Sequence, residues 1–279
     1  MTIVVTGATG HLGRLTIQSL LAKGVPASEI VGLGRQTDKI ADLGITVKQV
    51  AYEDQAALQA AFEGADKVLF ISGSEAGNRL AQHTNVVAAA KAAQVGLLVY
   101  TSIAKADTSD LMLAGEHQAT EKMITESGLP YVFLRNSWYL ENYNVAQGLE
   151  HGLFGASADG KISAATRADY AEAAAAVLTA DGQAGKVYEL GGPAFTMAEF
   201  AAEVAEQSGK PVTYTDLGEE KYREMLVGVG LPEAFAAVLA DSDRGAANGG
   251  LLVPADDLES LLGRPATSLK TYVGNALNA

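Results

Sequence analysis

Three stretches of the sequence carry residue types that could do chemistry. Residues 7–13, GATGHLG, place Gly7, Gly10 and Gly13 at three-residue spacing, after an apolar run and at the head of the amphipathic segment HLGRLTIQSLLAKG. A strand that turns into a helix on such glycines aims backbone N–H groups and the helix N-terminus at a pyrophosphate. Residues 115–122, GEHQATEK, set His117 and Glu121 four residues apart, on one face of a helix. With an ordinary imidazole pKa of about 6.5, His117 could donate a proton at neutral pH while Glu121 orients it. Residues 136–143, NSWYLENY, combine the only tryptophan with two tyrosines and two asparagines. Aromatic rings wall a flat ligand, and amides orient it.

The end of the second apolar run decides which dinucleotide the glycines serve. It reads GLGRQTDK, with Arg35 where an NAD site usually presents a carboxylate, and no acidic residue before Asp38. A guanidinium suits a ribose 2′-phosphate through paired charged hydrogen bonds, so the chain is expected to bind NADPH. The fourth apolar run leads into SGSEAGNR, which puts Ser72, Gly73 and Ser74 near the ribose or nicotinamide. The fifth leads into TSIAKAD, with Thr101 and Ser102 further along.

These residues need a scaffold, and the pattern of the first half supplies one. Strands are predicted at 2–7, 29–35, 46–52, 67–73, 97–102 and 130–136, nearly continuous in apolar character and separated by helical periodicity. The last of the intervening helices is predicted over 117–128. Such alternation argues an α/β fold, a doubly wound parallel sheet covered by helices on both faces. Beyond about 143 the regularity weakens. A short strand and an Ala-rich helix share 162–180, a strand is predicted at 186–192, a helix at 196–210 and a strand at 211–217, and 218–279 is mostly helical. Residues 1–143 are expected to form the NADP-binding domain. Residues 144–279 are expected to form a smaller α/β lobe, packed on the sheet and partly interleaved with it.

Composition excludes several function classes. The 279 residues contain no cysteine, so disulfides, thiolate metal sites and a cysteine nucleophile are absent. The formal net charge of −13, with basic residues scattered singly, disfavours nucleic acid and anionic membrane surfaces. No apolar run approaches the roughly 20 residues of a membrane span, and no basic leader precedes the first strand. A cytoplasmic protein acting on a small molecule, as a monomer or homodimer, is expected. The histidines at 11, 83, 117 and 151 show no metal-ligand spacing. GASADGKI (155–162) follows the P-loop pattern until Ile162 replaces the residue that would hold magnesium, and no buried strand is expected before it.

The glycine turn, with VPASEIVGLGR, FISGSE, VVAAAKAA, LVYTS, LPYVFLRNSWYLENY, SAATRADYAEAAAAVL, KVYELGG, LADSDRGAANGGL and LLGRPATSL, resembles the NmrA-like branch of the atypical short-chain dehydrogenases. Within it the chain is most similar to the bacterial NADPH:quinone oxidoreductases of the second type, and also to triphenylmethane reductases. The resemblance covers nearly the whole length. It implies a Rossmann-type sheet, a substrate cleft under a small C-terminal lobe, and NADPH-dependent reduction of a quinone-type acceptor. Residue by residue, it implies a cofactor lined by Gly7, Ala8, Thr9, Gly10, His11, Leu12, Arg35, Ser72, Gly73, Ser74 and Glu75. It adds Trp138, Tyr139, Leu140, Glu141, Asn142, Tyr143 and Arg167.

Ordinary short-chain dehydrogenases use Tyr-x-x-x-Lys, in which the lysine prepares the tyrosine for proton transfer. None of the ten tyrosines here has lysine four residues on, and His117 and Glu121 take that spacing instead. In one reading His117 is the catalytic acid. In the favoured one no protein acid is required, because a reduced quinone is a stabilised anion that water can protonate, and hydride passes directly from nicotinamide C4 by positioning. Reduction of another flat electrophile such as a triphenylmethane dye, or non-catalytic NADP(H) sensing, stands as the alternative.

Overall fold

Seven short strands line up parallel: β1 (Ile3–Val5), β2 (Ile30–Gly34), β3 (Thr46–Gln49), β4 (Lys67–Phe70), β5 (Leu97–Ile103), β6 (Tyr131–Asn136) and β8 (Lys186–Leu190). Their order is β3-β2-β1-β4-β5-β6-β8 in a computed structural model, which describes residues 1–73, 75 and 77–278. The order reverses between β1 and β4, which opens a crevice at the carboxyl ends of those strands. All seven residues of β5 are buried, as expected of a central strand covered on both faces.

The two faces have separate cores. Ile3 and Val5 pack with Ile17 and Leu20 of α1 (His11–Ala22), with the small residues of α6 (Arg167–Thr179), and with Leu258 and Leu262 of α10 (Asp256–Leu262). Val4, Phe70, Tyr100 and Phe133 pack with α2 (Gln55–Phe62), α3 (Arg79–Ala92) and α4 (Met112–Ser127). A third core joins Ile103, Leu111 and Ala114 to Leu153, Phe200, Val204 and Val273. It holds together α5 (Val145–His151), α7 (Met197–Ser208), α11 (Leu269–Leu277) and a two-stranded parallel sheet of β7 (Leu153–Gly155) and β9 (Tyr214–Asp216). Helices α8 (Glu219–Gly228) and α9 (Glu233–Ala247) pack on each other and carry this lobe to the mouth of the crevice. Among the described residues no helix is long and apolar enough to cross a membrane.

Three local expectations change. Helix α4 starts at Met112, five residues before His117, and Leu111 offers no side-chain cap. The Met112 N–H instead donates to Asp241 Oδ2 of α9 at 2.7 Å, so a carboxylate 129 residues away caps the helix. The strand expected within 162–180 is reduced to isolated bridges, Ile162 with Phe195 and Tyr139 with Ala165. The P-loop-like segment does follow a strand, but β7 is three residues long and exposed at its middle, and three successive amides after it are already used. Ala156 N–H donates to Asp243 Oδ2, Ser157 N–H to the Tyr214 hydroxyl and Ala158 N–H to Asp216 Oδ1, leaving no phosphate nest.

Candidate active site

A cleft of about 1080 Å³ runs along the carboxyl ends of the strands, with α9 forming part of its wall. At its floor lies the glycine turn. Gly7 sits in the left-handed region at φ +59°, which favours glycine. A Cβ on Gly13 would run into the Gly7 carbonyl oxygen and lie 2.7 Å from Ala8 Cα, so helix α1 approaches the strand as closely as glycine permits. Gly10 caps α1 with no side chain bonded to the first-turn N–H groups, and no acidic residue occupies that turn. These donors stay available to an anion. Tyr52, which sequence reasoning missed, fastens the turn to its neighbours. Its hydroxyl donates to Ile71 O at 2.6 Å and contacts Thr6 Oγ1 at 2.6 Å, and Ile71 N–H donates to Thr6 Oγ1 at 3.1 Å. Burial pushes this phenol well above its usual range.

At the end of β2 the cleft is basic. Arg35, Gln36 and Lys39 line it. Gly34 admits Thr9 at a spot where a Cβ would meet the Thr9 Cγ2 at 2.5 Å, so turn and strand end share one surface. Arg35 is 68% exposed and pairs at 2.5 Å with Glu75 Oε1, whose other oxygen accepts from Gln82 Nε2 at 3.0 Å. Ser72, Gly73 and Glu75 line the cleft too, while Ser74 lies outside the described residues.

The middle of the cleft overturns the pairing of His117 with Glu121. Glu121 is turned to Arg135, accepting from its Nε at 3.0 Å and its Nη2 at 2.7 Å. Arg135 also meets Glu189 and Asp107, each at 3.0 Å. His117 is bonded instead to the buried Tyr100 hydroxyl, 2.7 Å from its Nδ1. Burial first, and the Arg79 guanidinium second, push the imidazoles of His117 and of neighbouring His83 down to about 3. His117 is therefore neutral at pH 7 and is no strong acid. Ser102 Oγ and Asn136 Oδ1 are buried without a partner among the described residues, and both residues line the same cleft as His117.

The neutral histidines make the fold acid-sensitive. An imidazole takes a proton at about 6.5 when unfolded and only near 3 here, so over that window the unfolded chain binds more protons and stability drops as pH falls. Asp243 acts oppositely. Burial raises its pKa from 3.8 to about 6, so between those values the folded state holds the extra proton and stability is lost as pH rises. Two histidines outweigh one carboxyl. The thermal midpoint by calorimetry is expected to fall between pH 6.5 and 4.5, and His83→Gln is expected to remove about half of the histidine contribution, which is at most about 1.4 kcal/mol per pH unit for each ring.

Of the NSWYLENY stretch, Asn136, Ser137, Trp138, Tyr139 and Asn142 reach the cleft. Leu140, Glu141 and Tyr143 do not. Leu140 is buried in the third core, Tyr143 packs on Phe195 and Phe200, and Glu141 stands behind Arg167, accepting from its backbone N–H at 2.8 Å. Arg167 lies with its guanidinium carbon 4.6 Å from the centre of the Tyr139 ring and donates to Asn142 Oδ1 at 2.9 Å. At the turn, Gly7, Thr9, Gly10, His11, Leu12 and Gly13 reach the cleft, whereas Ala8 is buried and its N–H is taken by Leu33 O. The opposite wall, Leu113 of α4 with Phe235, Val238 and Leu239 of α9, escaped sequence reasoning. Its only signal was the apolar spacing at 235, 238 and 239. Among the described residues no three His, Cys, Asp or Glu side chains converge to hold a metal.

Residues 7–181 match the model of the NAD(P)H-binding family. The chain belongs to that family. This NAD(P)H-binding chain is 52% identical over 283 residues to quinone oxidoreductase 2 of Escherichia coli (strain K12), covering 99% of each protein. It superposes with TM-score 0.96, at 51% identity, on the crystal structure of the E. coli NADPH-dependent quinone oxidoreductase complexed with NADPH, covering 99% of this chain and 100% of that one. Citrobacter sp. triphenylmethane reductase complexed with NADP(H) gives TM-score 0.91 at 38% identity, over 99% and 100% of the two chains. The residues present fit such a cofactor, with a glycine cradle that a Cβ would fill at one end and unpartnered buried oxygens at the other.

Proposed function

We propose that this protein is an NADPH-dependent quinone oxidoreductase. The observation that carries the reading is the 52% identity to quinone oxidoreductase 2 along the whole chain. Bound NADPH supplies a hydride. The protein's residues hold and orient. Gly7, Thr9, Gly10 and Gly13 with the open N-terminus of α1 take the pyrophosphate. Arg35 and Lys39 take the 2′-phosphate. Ser102, Asn136, Ser137 and Tyr139, at or just beyond the carboxyl ends of β5 and β6, receive the nicotinamide. Leu113, Trp138, Phe235, Val238 and Leu239 form an apolar slot for a flat acceptor and exclude water. No tyrosine–lysine pair is needed, because the reduced quinone is a delocalised anion that water protonates. A cytoplasmic setting, as monomer or homodimer, goes with this reading.

Reduction of a triphenylmethane dye in the same slot is a second reading, favoured by the 38% identity to a reductase of such dyes. Loss of NADPH absorbance on adding a simple benzoquinone, and then a triphenylmethane dye, tests both. Quinone-dependent oxidation is expected. Tight NADPH binding with no oxidation by either acceptor would mark a non-catalytic sensor instead.

A further inference from the structure

The chain of hydrogen bonds behind the cleft wall assigns the protons on two buried histidines. Gly73 N–H donates to His83 Nε2 at 3.0 Å, so that nitrogen carries a lone pair and the proton sits on Nδ1. His83 Nδ1–H then donates to Thr120 Oγ1 at 2.8 Å, and the Thr120 hydroxyl donates to Glu116 O at 2.7 Å. Tyr100 is fully buried among Phe70, His83 and Phe133, and its hydroxyl lies 2.7 Å from His117 Nδ1, with the Thr120 hydroxyl as a second neighbour. Thr120 Oγ1 already accepts from His83 and gives its own proton to Glu116 O, so the Tyr100 proton is directed at His117 Nδ1, and Nε2 carries the hydrogen. His117 Nε2 has no hydrogen-bond partner among the described residues, and His117 lines the cleft, as do Ser102 and Leu113.

We propose that His117 donates its Nε2–H to the accepting oxygen of the quinone, and that Tyr100 positions it for this by holding Nδ1. The proposal rests on the quinone oxidoreductase reading and extends it to a residue that gives up no proton. The quinone takes up a hydride with both electrons, leaving NADP⁺ as the oxidised partner. The resulting hydroquinone monoanion carries charge on oxygen, which Nε2–H stabilises, and water supplies the final proton. The charged groups around the ring are balanced in place. On α3, Arg79 pairs with Glu116 of α4 at 2.6 Å, and Glu121 of α4 is held by Arg135 of β6. Burial first, then the positive charge of Arg79 and the adjacent His83, keep His117 neutral.

Long-range ¹⁵N–¹H spectra of the ¹⁵N-histidine protein read the tautomers without any substitution. His11 and His151 are exposed and stand apart by fast N–H exchange with water. The two protected rings are expected to show one Nδ1–H tautomer, His83, and one Nε2–H tautomer, His117, unchanged from pH 5 to 8. Two Nδ1–H rings, or a protected ring that protonates in this range, would overturn the proposal. Tyr100→Phe is expected to shift His117 toward Nδ1–H and lower kcat with little change in NADPH dissociation constant. His117→Leu is expected to cost about tenfold in kcat, below the roughly hundredfold lost with a donor to a localised oxyanion, and His117→Gln to recover most of it through its amide N–H. Wild-type kcat in a folded His117→Leu protein overturns this proposal alone. No quinone-dependent NADPH oxidation by the unmutated protein would overturn the underlying reading, and this proposal with it.

Discussion

Arg35→Ala is expected to raise the KM for NADPH by about a hundredfold and to leave that for NADH within about twofold. A guanidinium and a phosphate form two charge-assisted hydrogen bonds, each worth about 1.5–3 kcal/mol in a sheltered site. Arg35 is 68% exposed, which weakens each bond by solvent screening. Lys39, on the same wall, retains part of the attraction. Binding must also break the contact with Glu75, which occupies the guanidinium at 2.5 Å. Together these reduce the expected loss to the lower part of the range. NADH has no 2′-phosphate and nothing to lose. Steady-state kinetics with both cofactors against one quinone measure the ratio, and an equal rise for both would remove Arg35 from the 2′-phosphate site.

Arg35 was legible in the sequence because its position follows from local patterning. The second strand is a run of apolar residues, and its carboxyl end must lie beside the glycine turn in any doubly wound sheet. The same logic made all seven sheet strands visible, since each is a short run between turns, buried in the middle of the sheet and more exposed at its edges, β3 and β8. What stayed hidden depends on distant parts of the chain. The start of α4 is set by Asp241, and Tyr52 reaches the turn from the loop after β3. The apolar wall at Phe235, Val238 and Leu239 comes from a helix nearly a hundred residues beyond NSWYLENY. Within NSWYLENY the aromatics divide by direction: Tyr139 meets the cleft, whereas Tyr143 turns to Phe195 and Phe200. A short irregular segment has no fixed period from which to read those directions.

Glu121→Gln separates an acid–base pair from a structural ion pair with the largest contrast in stability. The substitution keeps the shape of the side chain and one acceptor oxygen, but removes the charge that faces Arg135. That arginine is only 9% exposed, as is expected of a guanidinium fastened by two bonds to Glu121. Removing one partner of a buried pair costs about 3–5 kcal/mol, because the other charge is left without its match. Glu189 and Asp107 remain beside Arg135, which places the expected loss near 3 kcal/mol, at the lower end of that range. Since Glu121 is hydrogen-bonded to Arg135 and His117 to Tyr100, kcat and its pH profile are expected to stay as they are in the folded enzyme. Were Glu121 the orienting base of His117, the pattern would invert, with kcat falling and the denaturation midpoint nearly unmoved. Equilibrium urea unfolding and kcat, measured on the same preparation, distinguish the two. The i, i+4 spacing of His117 and Glu121 puts both on one side of α4. The side chains nevertheless leave in different directions, one to Tyr100 and the cleft, the other to Arg135 at the sheet, and it is those contacts that assign their roles.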